Sequence, residues 1–124
     1  MAKNILVIDD EELIIKSLRK LLEKNGFAVF VAKNGQDALV MTEEEIFDLI
    51  IADIRMPGMN GVETVQSIYA ILEKRNLKMI PTIFITGYAN EEIRKKADEL
   101  KPIAYIYKPF EIDELVDKIK KVLK

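Results

Sequence analysis

The sequence predicts an α/β domain with a mainly parallel sheet and right-handed crossovers. Three observations carry that reading. Five short apolar runs, Ile5–Ile8, Ala28–Ala32, Leu49–Ala52, Thr82–Ile85 and Ala104–Tyr107, are rich in Ile, Val, Phe and Tyr. They mostly lack polar alternation, as strands covered on both faces do. Segments of helical period lie between them, so strand and helix alternate five times. The five Gly and four Pro fall at the boundaries of these segments. Ten elements in 124 residues leave little chain for a second unit, so residues 1–124 are expected to form one domain.

Each element has its own signature. Ile5–Ile8 is the first strand. Leu13, Ile14, Ser17, Leu18, Leu21 and Leu22 then recur at helical spacing, until Asn25-Gly26 stops them. The second strand, Ala28–Ala32, ends in the turn residues Lys33-Asn34-Gly35. Ala38, Leu39, Thr42 and Ile46 form the second helical stripe, and Leu49–Ala52 the third strand. Val62, Val65, Ile68, Tyr69 and Leu72 form the third stripe, before the strand Thr82–Ile85. Asn90 is a candidate N-cap for a weaker stripe of Ile93, Ala97 and Leu100. Ala104–Tyr107 is the fifth strand, and Ile112, Leu115, Val116, Ile119, Val122 and Leu123 line the last helix.

Composition narrows the chemistry. With 0 Cys and 0 His, disulfides, thiolate nucleophiles, Cys/His zinc sites and Ser-His-Asp triads are excluded, and so is a phosphohistidine on this chain. Reactions must use carboxylates, hydroxyls, Lys, Arg, backbone or a hard metal ion. Lys plus Arg is 19 and Asp plus Glu is 21, a formal charge of −2. That balance speaks against a nucleic-acid or membrane surface. Asp9 and Asp10 cut short the first apolar run, and no run approaches the ~20 residues of a membrane span. A soluble, cytoplasmic protein is expected.

In open α/β sheets, ligands bind outside the carboxyl ends of the strands. The first run ends in Asp9-Asp10, the third in Asp53, the fourth in Thr86 and the fifth in Lys108. Each residue alone has an ordinary structural explanation: a helix cap, a turn, a strand end, a solvated lysine. Their convergence on one sheet edge does not. Carboxylates ~4 Å apart repel by ~4 kcal/mol per pair at an effective dielectric of ~20, and a hard dication such as Mg²⁺ relieves this. A carboxylate nucleophile, a metal, a hydroxyl and a lysine together compose a phosphoryl-transfer site.

At this point the chain resembles the receiver domain of bacterial two-component response regulators, most of all the single-domain members of chemotaxis and sporulation phosphorelays. The resemblance runs from Ile5 to Leu123. It rests on Val7-Ile8-Asp9-Asp10-Glu11, on Asp53 to Gly61 (Asp-Ile-Arg-Met-Pro-Gly-Met-Asn-Gly), on Ile85-Thr86-Gly87 and on Tyr105-Ile106-Tyr107-Lys108-Pro109-Phe110. It implies a doubly wound five-stranded parallel sheet of order 2-1-3-4-5, flanked by five helices, the flavodoxin-like receiver fold. It implies Asp53 as phosphoacceptor, with Asp10 as direct Mg²⁺ ligand and Asp9 acting mainly through water. Asp53 and the backbone carbonyl of Arg55 complete the metal's protein ligands. Thr86 and Lys108 hold the phosphoryl oxygens, and Thr86 with Tyr105 forms the switch. The Lys108-Pro109 bond is the expected cis peptide.

The implied function follows. A histidine kinase or histidine phosphotransfer protein passes a phosphoryl group to Asp53 with Mg²⁺. The face made by the fourth helix, fifth strand and fifth helix then repacks for a protein partner or output domain. The only catalysis implied is the protein's own phosphorylation and dephosphorylation. The resemblance also points to the first helix, beside the acidic pocket, as the docking face for the phosphodonor. A chain ending at Lys124 fits both a stand-alone regulator and part of a longer one. Some positions depart from the common pattern. Asn60 replaces a frequent Asp, with little effect expected. Lys101-Pro102 stands where many relatives have Gly-Ala; Pro102 should push Lys101 out of the right-handed helical region and end the fourth helix near Leu100. Arg55 and Tyr88, large residues at two rim positions, are expected to slow self-dephosphorylation. A pseudo-receiver, a nucleotide or flavin enzyme, and a haloacid-dehalogenase-type phosphatase are the competing classes. The first predicts a missing acceptor, acid or lysine, and none is missing. The second needs a Gly- or Ser/Thr-rich phosphate loop where Asp9-Asp10-Glu11-Glu12 stands. The third wants two Asp separated by one residue, with a Thr soon after, and the first strand is not followed by these.

Overall fold

The computed structural model describes residues 2–56, 58–87 and 90–123. Strands β1 (Asn4–Ile8), β2 (Ala28–Ala32), β3 (Leu49–Asp53), β4 (Thr82–Thr86) and β5 (Ala104–Tyr107) alternate with helices α1 (Glu12–Lys24), α2 (Gly35–Glu44), α3 (Gly61–Lys74), α4 (Glu91–Glu99) and α5 (Ile112–Val122). All strand pairs are parallel, in the order β2-β1-β3-β4-β5. The expected strand bounds hold to within one residue.

Side chains alternate across each strand and so build two cores. Leu6, Ile8, Ile50, Ala52 and Phe84 meet α2, α3 and α4 through Ala38, Val65, Ile68 and Ala97. Ile5, Val7, Ile51, Ile83 and Ile85 meet α1 and α5 through Leu18, Leu22, Leu115 and Ile119. Right-handed crossovers explain the split. The chain steps from β1 outward to β2, then reverses over β1 to β3, so α1 and α2 fall on opposite faces. The reversal leaves a crevice at the carboxyl ends of β1 and β3. Every residue of β3 and β4 is buried, which is why these runs read as apolar without alternation.

Three stripe assignments need correction. Leu13 is 81% exposed and Ser17 is exposed, because the buried seam of α1 is Ile15, Leu18 and Leu22. Both lie two residues, about 200° of helical turn, from Ile15. Ile46 is 80% exposed because α2 ends at Glu44; Phe47 is buried in its place, edge-on to Phe30. Val122, on the last turn of α5, is exposed.

Helix termini are set locally. Asn90 caps α4 by accepting from the amides of Glu92 and Ile93. Asn60 has a larger role than its substitution for Asp implied. It forms a capping box with Glu63, each side chain accepting from the other's amide. Helix α4 ends at Glu99 ahead of Pro102, and Lys101 takes the left-handed conformation itself, with φ of 53°. The cap that a glycine would make without strain is thus held by a residue with a Cβ, at a cost of about 1 kcal/mol. The Lys108-Pro109 bond is cis, as expected.

Gly61 is the most closely packed of the five glycines. A Cβ there would lie 2.1 Å from the Asp53 carbonyl oxygen and 2.8 Å from its carbon. Both are backbone atoms of a buried strand and have nowhere to go. Gly61→Ala is therefore expected to destabilise the protein by about 2 kcal/mol or more, measured by urea unfolding, whereas Gly58→Ala, with open space around it, should cost less.

Candidate functional site

The strand register brings four polar ends together. Asp9 follows β1, Asp53 ends β3, Thr86 ends β4 and Lys108 follows β5. Asp53 is level with Ile85, and Thr86 with Tyr107. The amide of Lys108 donates to the Thr86 carbonyl at 2.8 Å, fixing the fifth strand's exit beside the fourth. Asp9 and Asp53 are each 2% exposed, Thr86 is fully buried, and Asp10 is exposed. The convergence expected from the sequence is therefore present in full.

One carboxylate oxygen from each of Asp9, Asp10 and Asp53 lies within 4.8 Å of the others. Two of these carboxylates are buried, and all are hard oxygen donors, so the donor set fits a hard divalent cation. Local hydrogen bonds orient them. The Glu11 amide donates to Asp9 Oδ1 at 2.9 Å, and the Arg55 amide to Asp53 Oδ1 at 3.2 Å. The turn that follows Asp53 carries the Arg55 carbonyl, the fourth candidate ligand. Lys108 Nζ donates to Asp53 Oδ2 at 3.2 Å and to Glu11 Oε1 at 2.7 Å.

The electrostatics follow from this packing. Burial, reinforced by the Asp53 charge, pushes the Asp9 carboxyl up from 3.8 to about 7, although the Glu11 amide and the Lys108 charge favour its ionised form. Burial alone would lower the Lys108 ammonium, but the Glu11 and Asp53 carboxylates hold it above its ordinary value. The lysine is charged at neutral pH, while the acids beside it press against one another.

Tyr105, the residue expected to act in the switch, is half-buried. Its ring lies 6.5 Å from Phe84 and 5.2 Å from Tyr107. The Arg94 guanidinium sits 3.9 Å from the ring centroid and donates to the Tyr107 hydroxyl at 2.6 Å and to Asp98 at 3.1 Å. Arg94 thus ties α4 to β5 across the ring. Neither this contact nor the Glu11–Lys108 pair was anticipated from sequence. Residues 13 and 97 positions apart carry no periodic signal that links them. Of the two rim positions, Arg55 is exposed, and Tyr88 lies outside the described residues.

A separate concavity of about 530 Å³ opens at the strands' amino ends, between the loops that lead into β3 and β4, over Phe47, Leu72 and Ile80. It lies at the opposite edge from the carboxylates.

An acid triad, a buried hydroxyl and a lysine at the carboxyl edge of a 2-1-3-4-5 sheet define a class of phosphoacceptor signalling domain. The response regulator receiver domain model matches residues 5–120, and the chain belongs to that family. It is 34% identical to the sporulation initiation phosphotransferase F of Bacillus subtilis, over 99% of this chain and 95% of that protein. It spans only about half the length of several transcriptional regulators that it also matches, 55% and 48% in two cases. Among solved structures, a receiver domain protein from Methanospirillum hungatei superposes with a TM-score of 0.89 at 32% identity, covering 99% of this chain and 94% of that one. A response regulator from Burkholderia pseudomallei, solved with a phosphorylated aspartic acid and a calcium ion, superposes at 0.80 with 27% identity, over 94% of this chain and 65% of that one.

The Asp9 displacement gives a pH prediction. A carboxyl raised in the fold binds its proton more tightly there than in the unfolded chain. Its ionisation therefore weakens the fold as pH rises from about 4 through about 7. In metal-free protein, Asp9→Asn should raise the thermal midpoint at pH 8 and leave it nearly unchanged at pH 4, as read by circular dichroism. Mg²⁺ should raise the midpoint of the wild type more than that of the variant.

Proposed function

We propose that this protein is a phosphoacceptor switch that takes a phosphoryl group on Asp53 in a Mg²⁺-dependent reaction. The observation that carries the reading is the contact of Lys108 Nζ with Asp53 Oδ2 at 3.2 Å, at the mouth of the three-carboxylate cluster. The phosphorylated aspartate and the bound calcium ion of the similar Burkholderia protein support it.

The donor is a phosphohistidine on a histidine kinase or a histidine phosphotransfer protein. An Asp53 carboxylate oxygen attacks phosphorus as the P–N bond breaks, and the bonding pair returns to the imidazole nitrogen. Lys108 binds a phosphoryl oxygen through its ammonium, and the Thr86 hydroxyl donates to another. Asp10 and Asp53, with the Arg55 carbonyl and with Asp9 through water, would hold Mg²⁺. Bound there, Mg²⁺ neutralises the carboxylates and the transferring group. Asp53 is buried in the unmodified chain, so an acyl phosphate formed there would be reached by water chiefly from the mouth of the cluster. The chain catalyses only its own phosphorylation and dephosphorylation and is not otherwise an enzyme.

Across the paired β4 and β5, Thr86 stands level with Tyr107 and Phe84 with Tyr105, so a pull on the Thr86 hydroxyl acts on the end of the strand that carries Tyr105 and, above its ring, Arg94. The α4-β5-α5 face is the surface read by a downstream protein or output domain. With a formal charge of −2, the chain presents no general attraction for nucleic acid or anionic lipid. Among the described residues no helix is long and apolar enough to cross a membrane. A cytoplasmic location suits the proposed donors.

Intact-protein mass spectrometry after incubation with acetyl phosphate tests the reading. One phosphoryl group should be gained in the presence of Mg²⁺, and none by Asp53→Asn or with EDTA. Gain of the group by Asp53→Asn would sink the assignment of the acceptor. Failure of the wild type to bind either phosphoryl or fluoroberyllate would favour a pseudo-receiver.

A further inference from the structure

Glu11 stands one residue past the acid pair, 97 positions from Lys108 in the chain, yet its Oε1 makes the shorter of the two Lys108 ion pairs, 2.7 Å against 3.2 Å for Asp53. It occupies the N-cap of α1 without making a side-chain capping bond. Glutamate is a poor N-cap, and here its carboxylate is directed to the lysine instead. Its backbone is pinned at the pocket by the amide's bond to Asp9, so the side chain starts from a fixed point. Lys108 is 18% exposed and Glu11 54%, which places the pair at the rim, where a phosphodonor has to pass. The neighbouring acid, Glu12, instead pairs with Lys33 at the end of β2.

We propose that Glu11 is a positioning residue that competes with the phosphoryl group for Lys108 and so restrains phosphorylation of Asp53. The inference rests on the function proposed above. At rest, Lys108 is shared between two carboxylates. An incoming phosphoryl group needs the same ammonium and meets the Glu11 charge beside it. Removing that charge frees the lysine for the anion. It also weakens the field that draws in the cation. The signature is therefore a pair of opposite effects: faster phosphoryl uptake and weaker Mg²⁺ binding.

The test compares wild type, Glu11→Gln and Glu12→Gln. Glu12→Gln removes the same charge one residue away without touching Lys108. Phosphoryl uptake from acetyl phosphate at saturating Mg²⁺ is followed by intact mass. Mg²⁺ affinity is measured separately by calorimetry on the unphosphorylated proteins, and the Lys108 side-chain resonance by NMR. Glu11→Gln should take up phosphoryl about threefold faster, bind Mg²⁺ more weakly and shift the Lys108 resonance. Glu12→Gln should match wild type in uptake and in that resonance. Equal acceleration in both variants would reduce the effect to overall charge and overturn the proposal. Slower uptake in Glu11→Gln would overturn it too, making Glu11 an aid to the lysine. A wild type that takes up phosphoryl normally, beside an indistinguishable Glu11→Gln, defeats this inference alone. A wild type that takes up none defeats the reading beneath it.

Discussion

A strand covered on both faces has only its ends left for polar side chains. In this chain β3 and β4 are buried along their whole length, and β1 nearly so. Apart from Thr82 at the start of β4, the charged and hydroxyl groups of these strands therefore fall at the edge where the strands stop. The doubly wound order then decides which ends are neighbours. Because β1 and β3 pair directly, Asp9 and Asp53 face each other across a crevice that neither helix layer covers. The site is thus a consequence of burial and topology before any chemistry is considered.

Once assembled, the cluster is held together by opposed charges. Asp9 and Asp53 are almost inaccessible and repel, and Lys108 from the far edge of the sheet offsets part of that repulsion. The lysine reaches them because β5 is fastened to β4 through the Thr86 carbonyl. A hard cation bound among these carboxylates would relieve that repulsion, so cation occupancy and the balance of charge at this edge are coupled.

The element pattern was readable in the sequence because short, doubly covered strands and amphipathic helices differ so sharply in period. Asp9, Asp10, Asp53, Thr86 and Lys108 were readable because each closes an apolar run. The phase of a short stripe was less so. Ile14 and Ile15 are adjacent and equally apolar, and only packing against the sheet decides that Ile15 and not Leu13 turns inward. Long-range pairs such as Glu11 with Lys108, or Arg94 over Tyr105, leave no local trace, since nothing in either segment depends on the other until the sheet forms. The Asn60–Glu63 capping box is the opposite case, a four-residue signal in plain view.

The contact between Gly61 and the Asp53 carbonyl has a mechanical meaning. On that side the Asp53 backbone rests against the first residue of α3, with no room even for a methyl group, and the Gly61 amide is bonded to the Ile54 carbonyl at 2.9 Å. On the other side stand a threonine hydroxyl, a long lysine and a half-buried tyrosine, all able to move by rotation about single bonds. Force generated at Asp53 meets a rigid anvil toward α3 and compliant neighbours toward β4 and β5. Displacement follows the softer path. The direction in which a change at Asp53 can spread is thus set by where the backbone cannot yield.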